Sequence, residues 1–415
     1  MSTTSLLRLT AGLISFSVLA RFLGPESFGV LMFWLSVSAL ITIISNYGLT
    51  PYVLREIGAN PDSAESIMNE GLTGKLLLTM VVLIISISTA FIAEIDHKQV
   101  FFSLLVAALA DCFTEFLNAG FRARRRYDVE TKIATVSSIS HASIMCGAIY
   151  IYPTIEVAGG AYAISRLLVL FVTVPAVVRH FATLRVSTFG AALGRLRNTI
   201  SYAIDFGFQS LFGQVDSVVL NAFVGPTAVG LHQAGMRIFM GGSQVAPILA
   251  NVFLPRAAAS SKELIKFSRE SRRIQFSFLI FGCLFGMLLA ILAQPIVLIL
   301  FGSNYEQLIP LMPFFGLLFF LRFACGAWGL ILTAAGKQTF RTQIGVIQWV
   351  VIGLVAWQLV PALANRGWLV ALCVGTFVQG LIYAVRGRSL LIKSWDVLGL
   401  TALGNLLFLV WIKVN

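Results

Sequence analysis

What this 415-residue chain has least of is charge. Only 12% of its residues are Asp, Glu, Lys or Arg while 58% are hydrophobic, whereas soluble domains carry about 25% charged residues. That shortage excludes a soluble globular domain and places the chain in lipid. Histidine is rarer still: His97, His141, His180 and His232 are scattered without metal-ligand spacing. A Gly-rich phosphate loop, a Walker lysine and a nucleophile elbow are all missing, which argues against ATP hydrolysis and nucleophilic catalysis. The five cysteines, Cys112, Cys146, Cys283, Cys325 and Cys373, fall inside apolar runs without metal spacing or a secreted disulfide framework. They read as small core residues. No small-residue cleavage pattern follows the first apolar run, so that run is expected to be a membrane helix and not a removable signal. No enzymatic activity and no cofactor are expected.

Long apolar runs are abundant. A span needs about 20 mostly apolar residues, because a helix rising about 1.5 Å per residue must cross about 30 Å of hydrocarbon. Runs of that kind are predicted at 5–22, 28–49, 74–93, 99–119, 133–152, 157–178, 200–222, 229–252, 274–294, 308–333, 342–361 and 367–385. The expected fold class is therefore an all-α integral membrane protein with about 12 core transmembrane helices. A further run, 395–412, is flanked by Trp395 and lies around Trp411, amphipathic aromatics that suit the two interfaces, and is a candidate extra helix.

The formal net charge of +12 first suggests a polyanionic partner, but its distribution gives another reading. With the N-terminus inside, the basic residues crowd the cytoplasmic loops, as in Arg122, Arg124, Arg125, Arg126 and Lys132, or Lys262, Lys266, Arg269, Arg272 and Arg273. The opposite loops hold few. This is the positive-inside pattern of a multi-pass protein, and no nucleic-acid partner is implied.

Two short stretches repeat: Phe22-Leu23-Gly24-Pro25-Glu26-Ser27-Phe28-Gly29 and Phe223-Val224-Gly225-Pro226-Thr227-Ala228-Val229-Gly230. The offset of 201 residues also carries Leu19 onto Leu220, Tyr52 onto Phe253 and Arg55 onto Arg256. Gly-Pro itself predicts only a turn, since Pro lacks an amide proton and Gly accepts positive φ. The fixed offset predicts a duplication: an N-lobe at 1–190 and a C-lobe at 191–392, each of six helices, with 393–415 as an appendage. Repeated bundles packed about a central site are the architecture of alternating-access transporters.

Ionisable groups within spans cost about 2.5–3.5 kcal/mol each on insertion scales, so they mark bundle interiors or watery cavities. The seventh span places Asp205, Gln209 and Asp216 on one polar stripe. Its counterpart in the first span holds Arg8. The eighth carries Gln233, Arg237 and Gln244; the fourth carries Asp111, Glu115 and Asn118, with Arg122 on the same face; Arg166 and Arg322 lie in the sixth and tenth. A cavity lined by Arg8, Arg166, Arg237 and Arg322 would suit an anionic substrate such as phosphate or pyrophosphate, because guanidinium grips phosphate oxygens bidentately and stays charged when desolvated. Structural pairing between helices is the competing reading. Asp111, Glu115, Asp205 and Asp216 are candidates for coupling to a proton or a sodium ion. Arg55 and Arg256, at matched positions in cytoplasmic loops just past the second helix of each lobe, are candidates for a paired gate.

The stretch Leu19-Ala20-Arg21-Phe22-Leu23-Gly24-Pro25-Glu26-Ser27-Phe28-Gly29, followed by Tyr47-Gly48-Leu49 and Arg55-Glu56-Ile57, resembles the N-terminal signature of Wzx-type polysaccharide flippases of the multidrug/oligosaccharidyl-lipid/polysaccharide (MOP) exporter superfamily. Asp216-Ser217, Val224-Gly225-Pro226, Gly230, Ala234, Arg237-Ile238 and Leu254-Pro255 are similar to that family's seventh and eighth helices. The resemblance implies a MATE-like, two-lobed V in the bacterial cytoplasmic (inner) membrane. Its expected role is to carry an undecaprenyl-diphosphate-linked oligosaccharide to the outer leaflet for O-antigen, capsule or exopolysaccharide synthesis. It implies membrane lipid, a polysaccharide polymerase and a chain-length regulator as partners, and gives the pyrophosphate or acidic sugars to Arg8, Arg166, Arg237 and Arg322. A drug exporter of the same superfamily remains the alternative, although such cavities handle cationic amphiphiles. An integral-membrane polymerase would be expected to carry a large outside loop, and a lipid II flippase fourteen spans.

Overall fold

In a computed structural model, residues 2–92, 96–181 and 184–389 are described, with side chains described from Thr10 onward except at Phe181, Asp205, Phe208, Gln209 and Phe212. Fourteen α-helices and two 3₁₀ segments make up the described residues, and none of these residues forms a strand. Helix is what lipid demands, because each backbone amide and carbonyl must find its partner within the segment. Among the described residues, nine helices are long and apolar enough to cross a membrane. The run at 395–412 lies outside the described residues, as does the side chain of Arg8.

The chain divides into two compact units, Met1–Ala222 and Phe223–Asn415. In the first, α1 (Ser2–Asn46) is broken at Gly24, whose φ of 73° and ψ of 169° separate the first two predicted spans. Next come α2 (Leu49–Ala59), α3 (Ala64–Ile92), α4 (Lys98–Ala123), α5 (Tyr127–Ile151), α6 (Ile155–Phe181), α7 (Phe189–Phe212) and α8 (Val215–Phe223). The packed core joins α2, α3, α4 and α7 through buried residues such as Leu49, Val53, Met68, Phe116 and Leu196. Helix α4 packs extensively on α6, and α5 lies against α1 and α6.

The repeat puts α7 at the head of the second lobe, yet α7 packs on α1, α2 and α3. The turn between α1 and α2 lies close against α7: a Cβ on Gly48 would sit 2.4 Å from the carbonyl carbon of Tyr202. Gly48 also has a φ of 63°, so glycine is required there twice over. Ser36 on α1 donates to Ser217 on α8 over 2.9 Å.

The second unit holds α9 (Pro226–Ser243), α10 (Val245–Ala259), α11 (Leu264–Ile291), α12 (Ala293–Leu300), α13 (Met312–Ala334) and α14 (Gln338–Arg388). Gly225, with φ 113° and ψ 179° before Pro226, adopts nearly the backbone of Gly24, so the repeated loops are alike in conformation as well as sequence. Helix α14 breaks at Ala364 (φ 49°) just after Pro361, separating the last two predicted spans. The interior is a phenylalanine cluster centred on Phe319, whose ring lies 4.5 Å from both Phe285 and Phe323 and 5.3 Å from Phe239, centroid to centroid. Such rings supply both buried area and edge-to-face contact.

Three expectations are corrected. The single helix at 200–222 is two, α7 and α8, interrupted at Gly213-Gln214, where Asp216 turns its Oδ1 to the Ser217 amide at 2.8 Å. The single helix at 229–252 is likewise α9 and α10, which meet at Gln244. The predicted cytoplasmic loops at 50–73 and 253–273 are largely helical, so Arg55 stands on α2 and Arg256 on α10. Helices continue past the hydrocarbon because their hydrogen bonding does not depend on lipid; a hydropathy window ends where apolarity ends.

Candidate functional site

The first unit holds an open-mouthed cavity of about 370 Å³ lined by α1, α4, α5 and α6. Helix α4 supplies its ionic wall. Residues four, seven and eleven apart return to one helical face, which aligns Asp111, Glu115, Asn118 and Arg122. Across the cavity, Arg166 on α6 places Nε 3.3 Å from Asp111 Oδ2. Its guanidinium also donates to the Tyr162 hydroxyl at 3.2 Å and lies 5.0 Å above that ring's centroid, a cation–π contact one turn away on the same helix. Tyr162 and Asp111 thus hold one guanidinium from two sides.

Glu115 pairs with Arg122, which also faces Glu130 at 3.7 Å. Both carboxylates of the α4 face are therefore matched by guanidinium. From α5 comes His141, 6% exposed, with Nδ1 2.9 Å from Ser165 Oγ and its ring edge-on to Tyr162 at 5.1 Å. Ser137 and Ser138 extend the polar lining; Phe16, Ile133 and Val169 complete it with apolar surface.

The remaining sequence candidates fall elsewhere. Asp216 is part-buried at the start of α8, and with the break at Gly213 it does not continue a helical stripe from the seventh span; the side chains of Asp205 and Gln209 lie outside the described residues. Arg237 is part-buried on α9 of the second unit. Arg322 stands midway along α13, a helix whose other residues are nearly all buried. Its side chain and Gly326 are the exposed exceptions there, and among the described residues it makes neither an ion pair nor a side-chain hydrogen bond. Arg55 donates to the Tyr202 hydroxyl at 3.1 Å and lies 3.5 Å from Glu56. Arg256 is exposed.

Two groups escaped sequence reasoning. Lys75 on α3 is fully buried; its Nζ donates to the Ser45 carbonyl at 3.2 Å and to Asn46 Oδ1 at 3.4 Å, and lies over Phe113 and Phe116 at 5.4 and 5.9 Å. It closes the C-terminal end of α1, where unpaired carbonyls and the helix dipole favour a cation. The signal was a lysine one residue inside the edge of a predicted span. The second group is Arg195 on α7, whose Nε lies 2.9 Å from Glu70 Oε2 while Nη1 donates to the Tyr52 hydroxyl at 3.1 Å. Its partners lie in segments expected to be loops.

The fold is the one found in solved transporters of the MOP superfamily. The structure superposes on an inward-facing MATE family multidrug resistance transporter of the MOP superfamily with a TM-score of 0.72 at 15% identity, covering 95% of this chain and 96% of that one. The lipid II flippase MurJ in an inward closed conformation gives 0.75 at 10% identity, covering 99% and 91%. At those identities the likeness is one of fold. Residues 1–261 match the family described as polysaccharide biosynthesis protein, and the chain belongs to that family. Among curated relatives, the amylovoran biosynthesis protein AmsL of Erwinia amylovora is 26% identical over 176 residues, 40% of this chain and 45% of that protein. The capsular polysaccharide biosynthesis protein CapF of Staphylococcus aureus is 25% identical over 190 residues, 45% of this chain and 47% of that protein. The matched stretch thus spans a little under half the length of each relative. The family expected from the sequence is the one found.

Proposed function

We propose that this protein carries an undecaprenyl-diphosphate-linked oligosaccharide across the bacterial cytoplasmic membrane by alternating access, with its N-terminus inside, for surface polysaccharide synthesis. The observation that carries this reading is a polar, ion-paired cavity lined by four largely apolar helices in a chain of this family. Polar groups at such depth are costly unless they serve a passage or a ligand. The two repeated lobes, 1–190 and 191–392, each of six helices, are the bodies that would exchange access between the two sides.

Within the cationic set, the supporting geometry is uneven. Arg166 already has Asp111 and Tyr162, so its charge is largely answered. Arg322 has no ion pair among the described residues, and the diphosphate falls first to it, with Arg237 and Arg8 as further contributors. Asp111, whose ionised form faces Arg166, is the proposed coupling group: protonation would release the guanidinium. Glu115, Asp216 and Asp205 are secondary. Arg55, held by Tyr202, is the better-supported half of the gate with Arg256.

Depleting the protein and assaying lipid-linked sugars tests the reading. The expected result is repeat units trapped on the cytoplasmic leaflet; normal surface polysaccharide in depleted cells would overturn it.

A further inference from the structure

We infer that the first-unit cavity binds an uncharged sugar, as one or two rings of the carried glycan, and selects against acidic sugars; this rests on the flippase reading above. The volume of about 370 Å³ lies near the lower end of the about 300–1,000 Å³ typical of ligand cavities. It accommodates a small polar ligand, not a whole repeat unit.

Charge comes first. With Asp111 ionised, Asp111 faces Arg166 and Glu115 faces Arg122, so in that state the wall is balanced and offers no excess of cation. A uronic acid or a phosphate entering it would be repelled by two carboxylates and would have to displace one of them from its guanidinium. A neutral ring bearing hydroxyls meets no such obstacle.

Hydrogen-bonding capacity points to a ligand bearing hydroxyls. Thr114 and Asn118 line the cavity from α4 and are only 8% and 7% exposed. Among the described residues, Thr114 Oγ1 and Asn118 Oδ1 have no hydrogen-bond partner, in a setting where buried polar atoms are normally satisfied. An amide oxygen can only accept. Its partner must therefore donate, as a ring hydroxyl of any sugar does; the discrimination against acidic sugars comes from the charge of the wall. A hydroxyl also serves Thr114 in either direction. Phe16 and Ile133 supply apolar surface for the C–H face of the ring.

The test uses the full chain purified in detergent micelles and reads its melting temperature with three probes: undecaprenyl diphosphate, the same lipid bearing a neutral disaccharide, and the same lipid bearing a disaccharide with one uronic acid. The expected result is a rise with the bare lipid, a further rise with the neutral disaccharide, and no further rise with the acidic one. Thr114→Val, nearly isosteric, and Asn118→Leu should each remove the sugar-dependent increment and leave the bare-lipid response intact. If Asn118→Leu does not fold, Thr114→Val carries the test. A neutral sugar that adds nothing, an acidic sugar that adds as much or more, or an increment that survives Thr114→Val overturns the inference while leaving the flippase reading in place. A protein that responds to none of the three lipids overturns both.

Discussion

Arg166 in the first unit and Arg322 in the second lie within predicted spans yet are answered in opposite ways. In the first, Arg166 faces Asp111, Arg122 faces Glu115 and Glu130, and Arg195 faces Glu70. In the second, Arg322 stands on α13 among Leu321, Phe323 and Ala324, all buried, and the described residues offer it no carboxylate. A guanidinium that has its counter-charge contributes to holding helices together. One that lacks it gains most from an anion arriving from outside, and its removal should leave the fold intact.

The largest expected effect is therefore functional. Arg322→Ala should lower the rate of lipid-linked oligosaccharide flipping at least about tenfold, the scale of losing one charge-assisted contact of about 1.5–3 kcal/mol, while yield and melting temperature stay near those of the parent. If Arg322→Ala instead prevents folding, or transports normally, the contrast between the units is wrong. Next comes the first-unit pair. Asp111→Asn or Arg166→Gln alone should destabilise by about 2 kcal/mol, less than the about 3–5 kcal/mol of a fully buried pair because Asp111 is 45% exposed. The double variant should cost less than the two singles together, a coupling a double-mutant cycle in denaturant would read; strict additivity would mean the pair is incidental. Smaller again is Glu70→Gln, at about 1 kcal/mol, since the Arg195 it leaves keeps its Tyr52 contact. Arg55→Ala should leave thermal stability unchanged, its side chain being 69% exposed, so any transport defect it causes would speak for the gate.

Much of this was written in the sequence. Apolar length located the helices, and the Gly-Pro repeat located two turns whose glycines take similar positive φ values. The α4 face was readable because Asp111, Glu115, Asn118 and Arg122 recur at helical spacing. What spacing could not give was the partner across the cavity: which of several arginines meets Asp111 is decided by how α4 packs on α6. Helix breaks at Gly213 and Gln244 were also hidden, since the apolar residues on either side carry a hydropathy window across Gly213-Gln214 and Gly241-Gly242-Ser243-Gln244. The clasp of Arg195, Glu70 and Tyr52 was missed because hydropathy treats polar helix ends as loops.

Lys75 bears on how the chain is made. Its oxygen partners, the Ser45 carbonyl and Asn46, precede it in the chain, whereas Phe113 and Phe116 follow it. During synthesis the acceptors are thus already in place when this ammonium meets the bilayer, and the aromatic shelter closes over it only after α4 has emerged. One side chain thus ties the start of α3 to the end of α1 through oxygens that N-to-C synthesis makes before it.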